Sequence, residues 1–143
     1  MKTIAESAFN HNGDLQYTLD LANAAKEAGA DYFTVQVMDV AAFCVEDYSK
    51  YEIYENNTLS FKEWSQVFAY CRELDLEVIP CVLDIPSFEF CYNEGFRFLK
   101  LHATDITNKT MLDKMATYKD LSFILETQCA TNLEIKFALG IIG

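Results

Sequence analysis

Residues 4–14 read Ile-Ala-Glu-Ser-Ala-Phe-Asn-His-Asn-Gly-Asp, and this stretch sets the pattern that the rest of the chain repeats. A short strand, predicted over residues 3–5, leads into Glu6 and then into a polar loop that ends at Asp14. Aspartate is a favoured helix N-cap residue, and apolar side chains recur after Asp14 with helical spacing. The stretch therefore predicts a strand, a polar loop and a helix in succession.

The same unit recurs along the chain. Two of the later helices open with a Ser/Thr-x-x-Glu capping box, at residues 60–63 and 131–134. Five strands alternating with five helices predict a parallel α/β sheet, and the pattern alone leaves open whether that sheet is open or part of a barrel. The later strands are predicted over residues 32–37, 77–82, 97–102 and 121–127, and the later helices begin at or near Ser60, Ser87, Thr110 and Thr131.

The composition is that of a folded, acidic protein. The chain has 143 residues, of which 51% are hydrophobic, and a net charge of −11, which repels nucleic acid and anionic membrane surfaces. No apolar run approaches the ~20 residues of a membrane span, and residues 1–4 lack the apolar core of a signal peptide. The five cysteines have no metal-like spacing. We therefore expect a cytoplasmic protein with no nucleic acid or membrane partner.

Nothing in the sequence has the composition of a linker, so residues 1–143 are predicted to form a single domain. No glycine-rich phosphate loop of the dinucleotide or P-loop type is present. In parallel α/β folds, ligands bind at the carboxyl ends of the strands. The polar side chains at those predicted ends are Glu6, Gln36, Asp84, His102, Asp105 and Thr127.

Strand periodicity places Lys100 on the face of the fourth strand that is turned away from the helices. A lysine inside a parallel sheet is costly unless it meets an anion. The same periodicity turns Glu126 of the fifth strand toward the same side. Lys100 is therefore predicted either to pair with Glu126 or to hold an anionic ligand.

Residues 4–14 resemble the opening of the N-acetylneuraminate (sialic acid) synthase family. The resemblance continues through residues 24–36, 61–84 and 100–108 and reaches residues 127–131, so it covers essentially the whole chain. Asn-His-Asn-Gly at 10–13 and Asp-Ile-Thr-Asn at 105–108 are specific when taken together.

This resemblance implies a partial TIM-type (β/α) barrel, with about five parallel strands alternating with helices. Members of the family condense phosphoenolpyruvate with N-acetylmannosamine or a related acetamido sugar and use a divalent metal, manganese or magnesium. The matching positions imply Glu6 and Asp105 as catalytic residues near the sugar and the reacting centre. They also imply Gln36 as a sugar-binding residue and Lys100 as a phosphoenolpyruvate-binding residue.

The rest of the predicted substrate-binding set comes from the polar loops. Asn10 and His11 belong to the loop after the first strand, where His11 is also expected to fasten the loop. Thr127 follows the fifth strand and matches the corresponding family segment.

Four family positions are changed in this chain. A lysine of the second strand corresponds to Thr34, and a threonine after the third strand corresponds to Cys81. Serines of the fourth and fifth strand regions correspond to Ala103 and Glu126. The exchanges remove one cation and add one carboxylate, so we expect phosphoenolpyruvate to bind weakly.

A (β/α)8 barrel needs ~250 residues, so we expect the carboxyl-terminal barrel strands and the antifreeze-like domain of the family to be absent here. The family's metal-binding histidines belong to those later strands, and no metal ligands are expected in this chain. Open sheet edges are prone to association. Self-association or a complementing chain is expected to cover them.

Three hypotheses follow from these observations. The chain is part of a synthase-like enzyme whose reaction is incomplete or altered, or it is a degenerate, non-catalytic sugar-binding or assembly module of the same family. A third alternative is a truncated remnant without activity. Acetamido sugar is the expected ligand in the first two cases, and phosphoenolpyruvate in the first.

Overall fold

The five predicted strands pair in chain order into one parallel sheet. The computed structural model describes residues 1–143. Its strands are β1 (Ile4–Ala8), β2 (Tyr32–Val37), β3 (Glu77–Val82), β4 (Phe98–Leu101) and β5 (Ser122–Leu125). Its helices are α1 (Leu15–Glu27), α2 (Val40–Phe43), α3 (Tyr51–Asn56), α4 (Phe61–Glu73), α5 (Ile85–Asn93), α6 (Lys109–Met115) and α7 (Asn132–Ile142).

Three of the predicted helix starts are confirmed by their caps. Asp14 accepts a hydrogen bond from the backbone N–H of Tyr17 at the start of α1. Ser60 and Thr131 each form the complete capping box at the starts of α4 and α7. These caps satisfy N–H groups that would otherwise lack a partner within the helix.

Several predicted boundaries are wrong. β1 continues to Ala8 through a register shift against β2, so Glu6 lies within the strand and not at its end. β4 and β5 are four residues each and shorter than predicted. The connection over residues 38–59 contains α2 and α3, and a 3-10 turn follows β4 at Ala103–Asp105. Short helices of four and six residues give little periodicity to detect in a sequence.

The outer face of the sheet is apolar and packs against the helices. Phe33, Val35 and Val37 of β2 and Leu99 and Leu101 of β4 belong to a cluster of 22 buried residues. The helices contribute their apolar stripes to the same cluster, with α4 supplying Trp64, Val67, Phe68 and Cys71. Strand alternation therefore sends every second side chain of β2 and β4 into this core and the others to the opposite face.

The sheet is strongly curved around that opposite, inner face. β1 and β4 are separated by three strand spacings, which is about 14 Å in a flat sheet. The side chains of Glu6 on β1 and Lys100 on β4 nevertheless meet at 2.6 Å. The inner face is therefore concave, as in the wall of a barrel.

The loop after β1 is fixed at the rim of this concave face. Gly13 has φ +70°, and a Cβ atom on it would lie 2.4 Å from the carbonyl oxygen of Asn56 at the end of α3. Only glycine fits both the backbone conformation and the contact. The polar loop is thus held against the α3 segment.

Candidate functional site

One layer of side chains crosses the inner face at the carboxyl end of the sheet. The strand register places Gln36, Cys81, Lys100 and Ile124 side by side on β2, β3, β4 and β5. Glu126 follows two residues after Ile124 and faces the same side. The layer combines an amide, a thiol, an ammonium and a carboxylate, whereas the outer face of the same strands is apolar.

Lys100 is the centre of this layer. Its Nζ atom lies 2.6 Å from Oε2 of Glu6 and 2.7 Å from Oε1 of Glu126, and its side chain is only 7% exposed. Burial lowers the pKa of Lys100, but the hydrogen bonds to Glu126 and Glu6 outweigh burial, so the pKa is raised above its ordinary value. The predicted pairing of Lys100 with Glu126 is confirmed.

The Glu6–Lys100 pair was missed by sequence reasoning. The two residues are 94 positions apart, and their strands are not neighbours in the sheet. No spacing rule in the sequence predicts such a contact, because it depends on how strongly the sheet curves. The only available signal was a carboxylate directly after the first predicted strand.

Glu126 receives further contacts from the segment after β4. The backbone N–H of Ala103 donates to its Oε2 atom at 3.4 Å, and Nε2 of His102 lies 3.7 Å from the same oxygen. The Glu126 side chain is 17% exposed. One carboxylate therefore faces an ammonium, an amide N–H and an imidazole.

Asp105 lies in the 3-10 turn after β4 and is 6% exposed. Its carboxylate accepts hydrogen bonds from the Thr104 hydroxyl at 3.1 Å and the Asn108 amide at 2.9 Å, and it makes no ion pair with Lys100. It lines a cavity of about 340 Å³ between the β3–α5 and β4–α6 connections, together with Asp84. Asp105 therefore lies at the carboxyl edge, beside the Lys100 layer.

Asp84, although polar and at a strand end, has a structural role. It caps α5 by accepting hydrogen bonds from the backbone N–H and hydroxyl of Ser87, and it also accepts one from the backbone N–H of Asp39. Burial raises its pKa, and these hydrogen bonds partly offset that effect. The side chain thus joins the starts of α2 and α5.

The remaining predicted residues differ in their exposure. Gln36 is half-buried in the inner layer, and its side chain has no hydrogen-bond partner within the protein. Asn10 and Thr127 are exposed at the same edge. Neither side chain forms a hydrogen bond with the side chain of Lys100, Glu6 or Glu126.

His11 is fully buried and lies apart from the Lys100 layer. Its Nδ1 atom accepts a hydrogen bond from the Gly13 backbone N–H at 3.2 Å, and its ring packs edge-on against Trp64 with a centroid distance of 5.4 Å. Burial lowers its pKa. These contacts agree with the expected role of fastening the loop after β1.

Two of the family departures have clear structural roles. The Thr34 hydroxyl donates to the Ile79 carbonyl at 2.7 Å and is buried, so it supports the β2–β3 pairing. Burial raises the pKa of Cys81 to about 12, and the neighbouring Lys100 partly offsets this effect. The thiol is therefore protonated at neutral pH and is a poor nucleophile.

No group of three or more His, Cys, Asp or Glu side chains has the arrangement of a metal site. The Glu6 and Glu126 carboxylates of the inner face are both paired with Lys100. No helix is long and apolar enough to cross a membrane.

Comparison with known sequences identifies the family of this chain. Residues 21–143 match the NeuB family. The chain belongs to the NeuB family. The resemblance noted from the sequence is therefore confirmed.

Relatives of this NeuB chain are named as acidic-sugar synthases. It is 29% identical over 153 residues to the N,N'-diacetyllegionaminic acid synthase of Legionella pneumophila, covering 97% of this chain and 43% of the relative. It is 23% identical to the pseudaminic acid synthase of Helicobacter pylori, covering 98% of this chain and 45% of that protein. The chain thus spans less than half the length of these curated relatives.

The crystal structure of an N-acetylneuraminic acid synthetase from Leptospira borgpetersenii, solved with citrate, shares the fold. The TM-score is 0.90 at 25% identity, over 98% of this chain and 49% of that one. The five parallel strands alternating with helices are therefore a partial (β/α) barrel of the NeuB type, as the sequence predicted.

Proposed function

We propose that the inner face of this chain binds a neutral acetamido sugar and that phosphoenolpyruvate binds there only weakly. The observation that carries the proposal is the position of Lys100 between Glu6 and Glu126. Two carboxylates and one ammonium leave a formal charge of −1 on the cluster. The relatives named as acidic-sugar synthases support the sugar as the ligand class.

Electrostatics disfavours an anionic ligand at this cluster. One uncompensated unit charge about 6 Å from a ligand anion costs about 3 kcal/mol per unit of ligand charge, at an effective dielectric constant of about 20. That penalty weakens binding by roughly 100-fold. A neutral sugar carries no such penalty.

The same residues offer suitable contacts for a sugar. The Glu6 side chain is 42% exposed and uses Oε2 on Lys100, so Oε1 is free to accept a hydrogen bond from a sugar hydroxyl. The Gln36 amide has both donors and its acceptor free, which suits an acetamido group. Asp105 and Thr127 lie at the same edge of the sheet and extend the polar rim.

Calorimetric titration with N-acetylmannosamine tests this proposal. We expect binding by the wild-type chain, at least fivefold weaker binding by Gln36→Ala, and no change in Gln66→Ala, which alters an exposed glutamine on α4. Equal affinity in the two variants, or no binding by the wild type, would overturn the assignment of the sugar site.

A second candidate function is the condensation of phosphoenolpyruvate with the sugar, and the joint presence of Glu6, Gln36, Lys100 and Asp105 on or beside the inner face of the sheet favours it. In this reaction Lys100 holds the enolpyruvyl donor, whose methylene carbon forms the new bond to the sugar carbonyl carbon, and attack of water on the enolpyruvyl group then releases phosphate. Glu6 and Asp105 orient the sugar by accepting hydrogen bonds from its hydroxyl groups. The family resemblance also implies a divalent metal, so manganese is added in the assay. Phosphate release above background from both substrates with manganese supports this candidate, and background release excludes it for the chain alone.

We further propose that residues 1–143 fold as one unit. The apolar cluster that carries this proposal runs from Ala22 of α1 to Ala138 of α7. A single cooperative urea transition, with coincident fluorescence and circular dichroism signals, is expected. Two separate transitions would contradict it.

Association through the sheet edges is also proposed. β1 and β5 each have a strand neighbour on one side only, and Leu133 and Phe137 on α7 are 77% and 41% exposed. A second copy or a complementing chain that covers these surfaces would remove the open edges. Sedimentation analysis that finds only a monomer up to high concentration, with no complementing chain co-purified from the native host, would contradict this proposal.

A further inference from the structure

Of the buried side-chain nitrogen and oxygen atoms, only two have no hydrogen-bond partner within the protein, and their residues are in contact. They are Nε2 of His11, in the loop after β1, and Nε1 of Trp64 on α4. The two rings pack edge-on with a centroid distance of 5.4 Å. Buried polar groups in folded proteins almost always have a partner. We propose that one internal water molecule binds between His11 and Trp64 and accepts a hydrogen bond from each ring.

Both unpaired nitrogens are hydrogen-bond donors. The indole Nε1–H group of Trp64 can only donate. Nδ1 of His11 accepts a hydrogen bond from the Gly13 backbone N–H at 3.2 Å, so the proton of the neutral ring is on Nε2. Burial lowers the pKa of His11, which keeps the ring neutral at neutral pH. Two donors cannot bond to each other, so they need an acceptor between them.

The enclosure and the charge of this site restrict the acceptor to water. His11 and Trp64 are both fully buried, so the ligand is enclosed when the chain folds. Neither ring is charged, and an anion buried between two neutral donors carries a large desolvation penalty. A water molecule is neutral, accepts two hydrogen bonds and gives its own hydrogens to nearby backbone carbonyls. A shared water also explains why the two unpaired donors are neighbours.

The bound water connects the loop after β1 to α4. Gly13, in the same loop, already packs closely against Asn56 at the end of α3. The loop is therefore fastened at two points, one on α3 and one on α4. This inference goes beyond the ligand proposed for the inner face and does not depend on it.

Nuclear magnetic resonance of the isotope-labelled chain tests the proposal, because Trp64 is the only tryptophan and gives a single indole N–H signal. We expect slow exchange of this proton with bulk solvent, together with nuclear Overhauser transfer from a long-lived water molecule. Long-range nitrogen spectra should show His11 as the Nε2–H tautomer. The side chain of His102 is 29% exposed, so it is the internal reference for a histidine in contact with solvent.

Three results for the wild-type chain would overturn the proposal. A slowly exchanging indole proton that receives no transfer from water would mean that it faces an aromatic ring. Rapid exchange with bulk solvent would mean that the site is open. The Nδ1–H tautomer would make Nε2 of His11 an acceptor for the Trp64 N–H, and no water would be needed.

Two variants test the part played by His11. His11→Phe keeps a ring beside Trp64 and removes one donor, so the residence time of the water should fall roughly tenfold, as expected for the loss of one hydrogen bond. His102→Phe removes the other histidine and should leave the water signal of Trp64 unchanged. Circular dichroism and a cooperative urea transition verify that each variant is folded. Equal residence times in folded His11→Phe and the wild type would contradict the proposal, and if His11→Phe does not fold, the wild-type measurements decide.

Discussion

The two faces of the sheet show how one alternating pattern produces two different environments. On β4, Leu99 and Leu101 point to the helices and are fully buried among apolar side chains. Lys100, between them, points to the inner face and is almost as buried, but it lies among carboxylates. The outer face is stabilised by burial of apolar area, which is non-directional and tolerant of shape. The inner face depends on specific charge pairs, so its chemistry changes with a single substitution.

The largest expected loss of stability comes from a substitution on the outer face of the sheet. Leu101→Ala should lower the free energy of unfolding by about 3 kcal/mol, because it removes buried methyl groups and leaves a cavity. Urea denaturation measures this change. Leu133→Ala, at a leucine of α7 that is 77% exposed, is the matched control and should change stability by less than about 0.5 kcal/mol. Similar losses in both variants would contradict the assignment of the core.

A smaller loss of stability is expected from a substitution on the inner face of the sheet. Lys100→Met leaves two carboxylates without their cation and should cost about 2 kcal/mol, less than for a fully buried pair because Glu6 is partly exposed. The folded-state pKa of Lys100 is raised above the ordinary 10.5. Its contribution to the free energy of unfolding is therefore complete below pH 10.5 and is lost as the pH rises through the folded-state pKa.

The stability difference between wild type and Lys100→Met should therefore be constant from pH 8 to 10 and shrink at higher pH. Thermal unfolding at a series of pH values measures it. The control is Lys114→Met, which removes a lysine from an exposed pair on the helix surface and should have a smaller effect. A difference that grows with pH would contradict the arrangement.

The loop after β1 should make the protein sensitive to mild acid. Burial holds the folded-state pKa of His11 below the ordinary 6.5, so the unfolded chain binds a proton more readily than the folded one. Stability from this group is present above pH 6.5 and is lost as the pH falls. His11→Gln should therefore lose less stability than the wild type between pH 7.5 and 5.5 in urea titrations. Parallel curves for the two proteins would exclude His11 as the cause.

The smallest effect on stability is expected for substitution of Arg97, which precedes β4. Its guanidinium pairs with Asp120 at 2.7 Å and stacks on the ring of Tyr92. Its side chain is 42% exposed, and water and salt weaken such pairs. Arg97→Gln should shift the thermal midpoint less than Lys100→Met does, and less again in high salt. An equal shift would mean that burial does not distinguish the two cations.

Much of the fold could be predicted because its signals are local. β2 and β3 were predicted with their observed boundaries, since each is a six-residue run bounded by turn residues. The caps at Asp14, Ser60 and Thr131 depend on side chains three residues apart, which a sequence displays directly. β1 was predicted too short because a bulge near Ser7 breaks the simple alternation.

The candidate site was predictable only in part. The facing of Lys100 and Glu126 follows from strand alternation on neighbouring strands, so their contact was expected. The ion pair between Lys100 and Glu6 was not expected. The capping role of Asp84 was not expected either, because it depends on where α2 and α5 begin.

The sequence by itself therefore determined the order of the five strands and of five of the seven helices, the caps at Asp14, Ser60 and Thr131, and the side of the sheet on which Lys100 and Glu126 lie, because these depend on neighbours within a few residues. Only the tertiary structure decided that Glu6 reaches Lys100 and that His11 is enclosed beside Trp64. Those contacts depend on the curvature of the whole sheet and on the packing of loops distant in sequence. The charge of the inner face, on which the proposed ligand preference depends, is thus a product of the fold and not of any single motif.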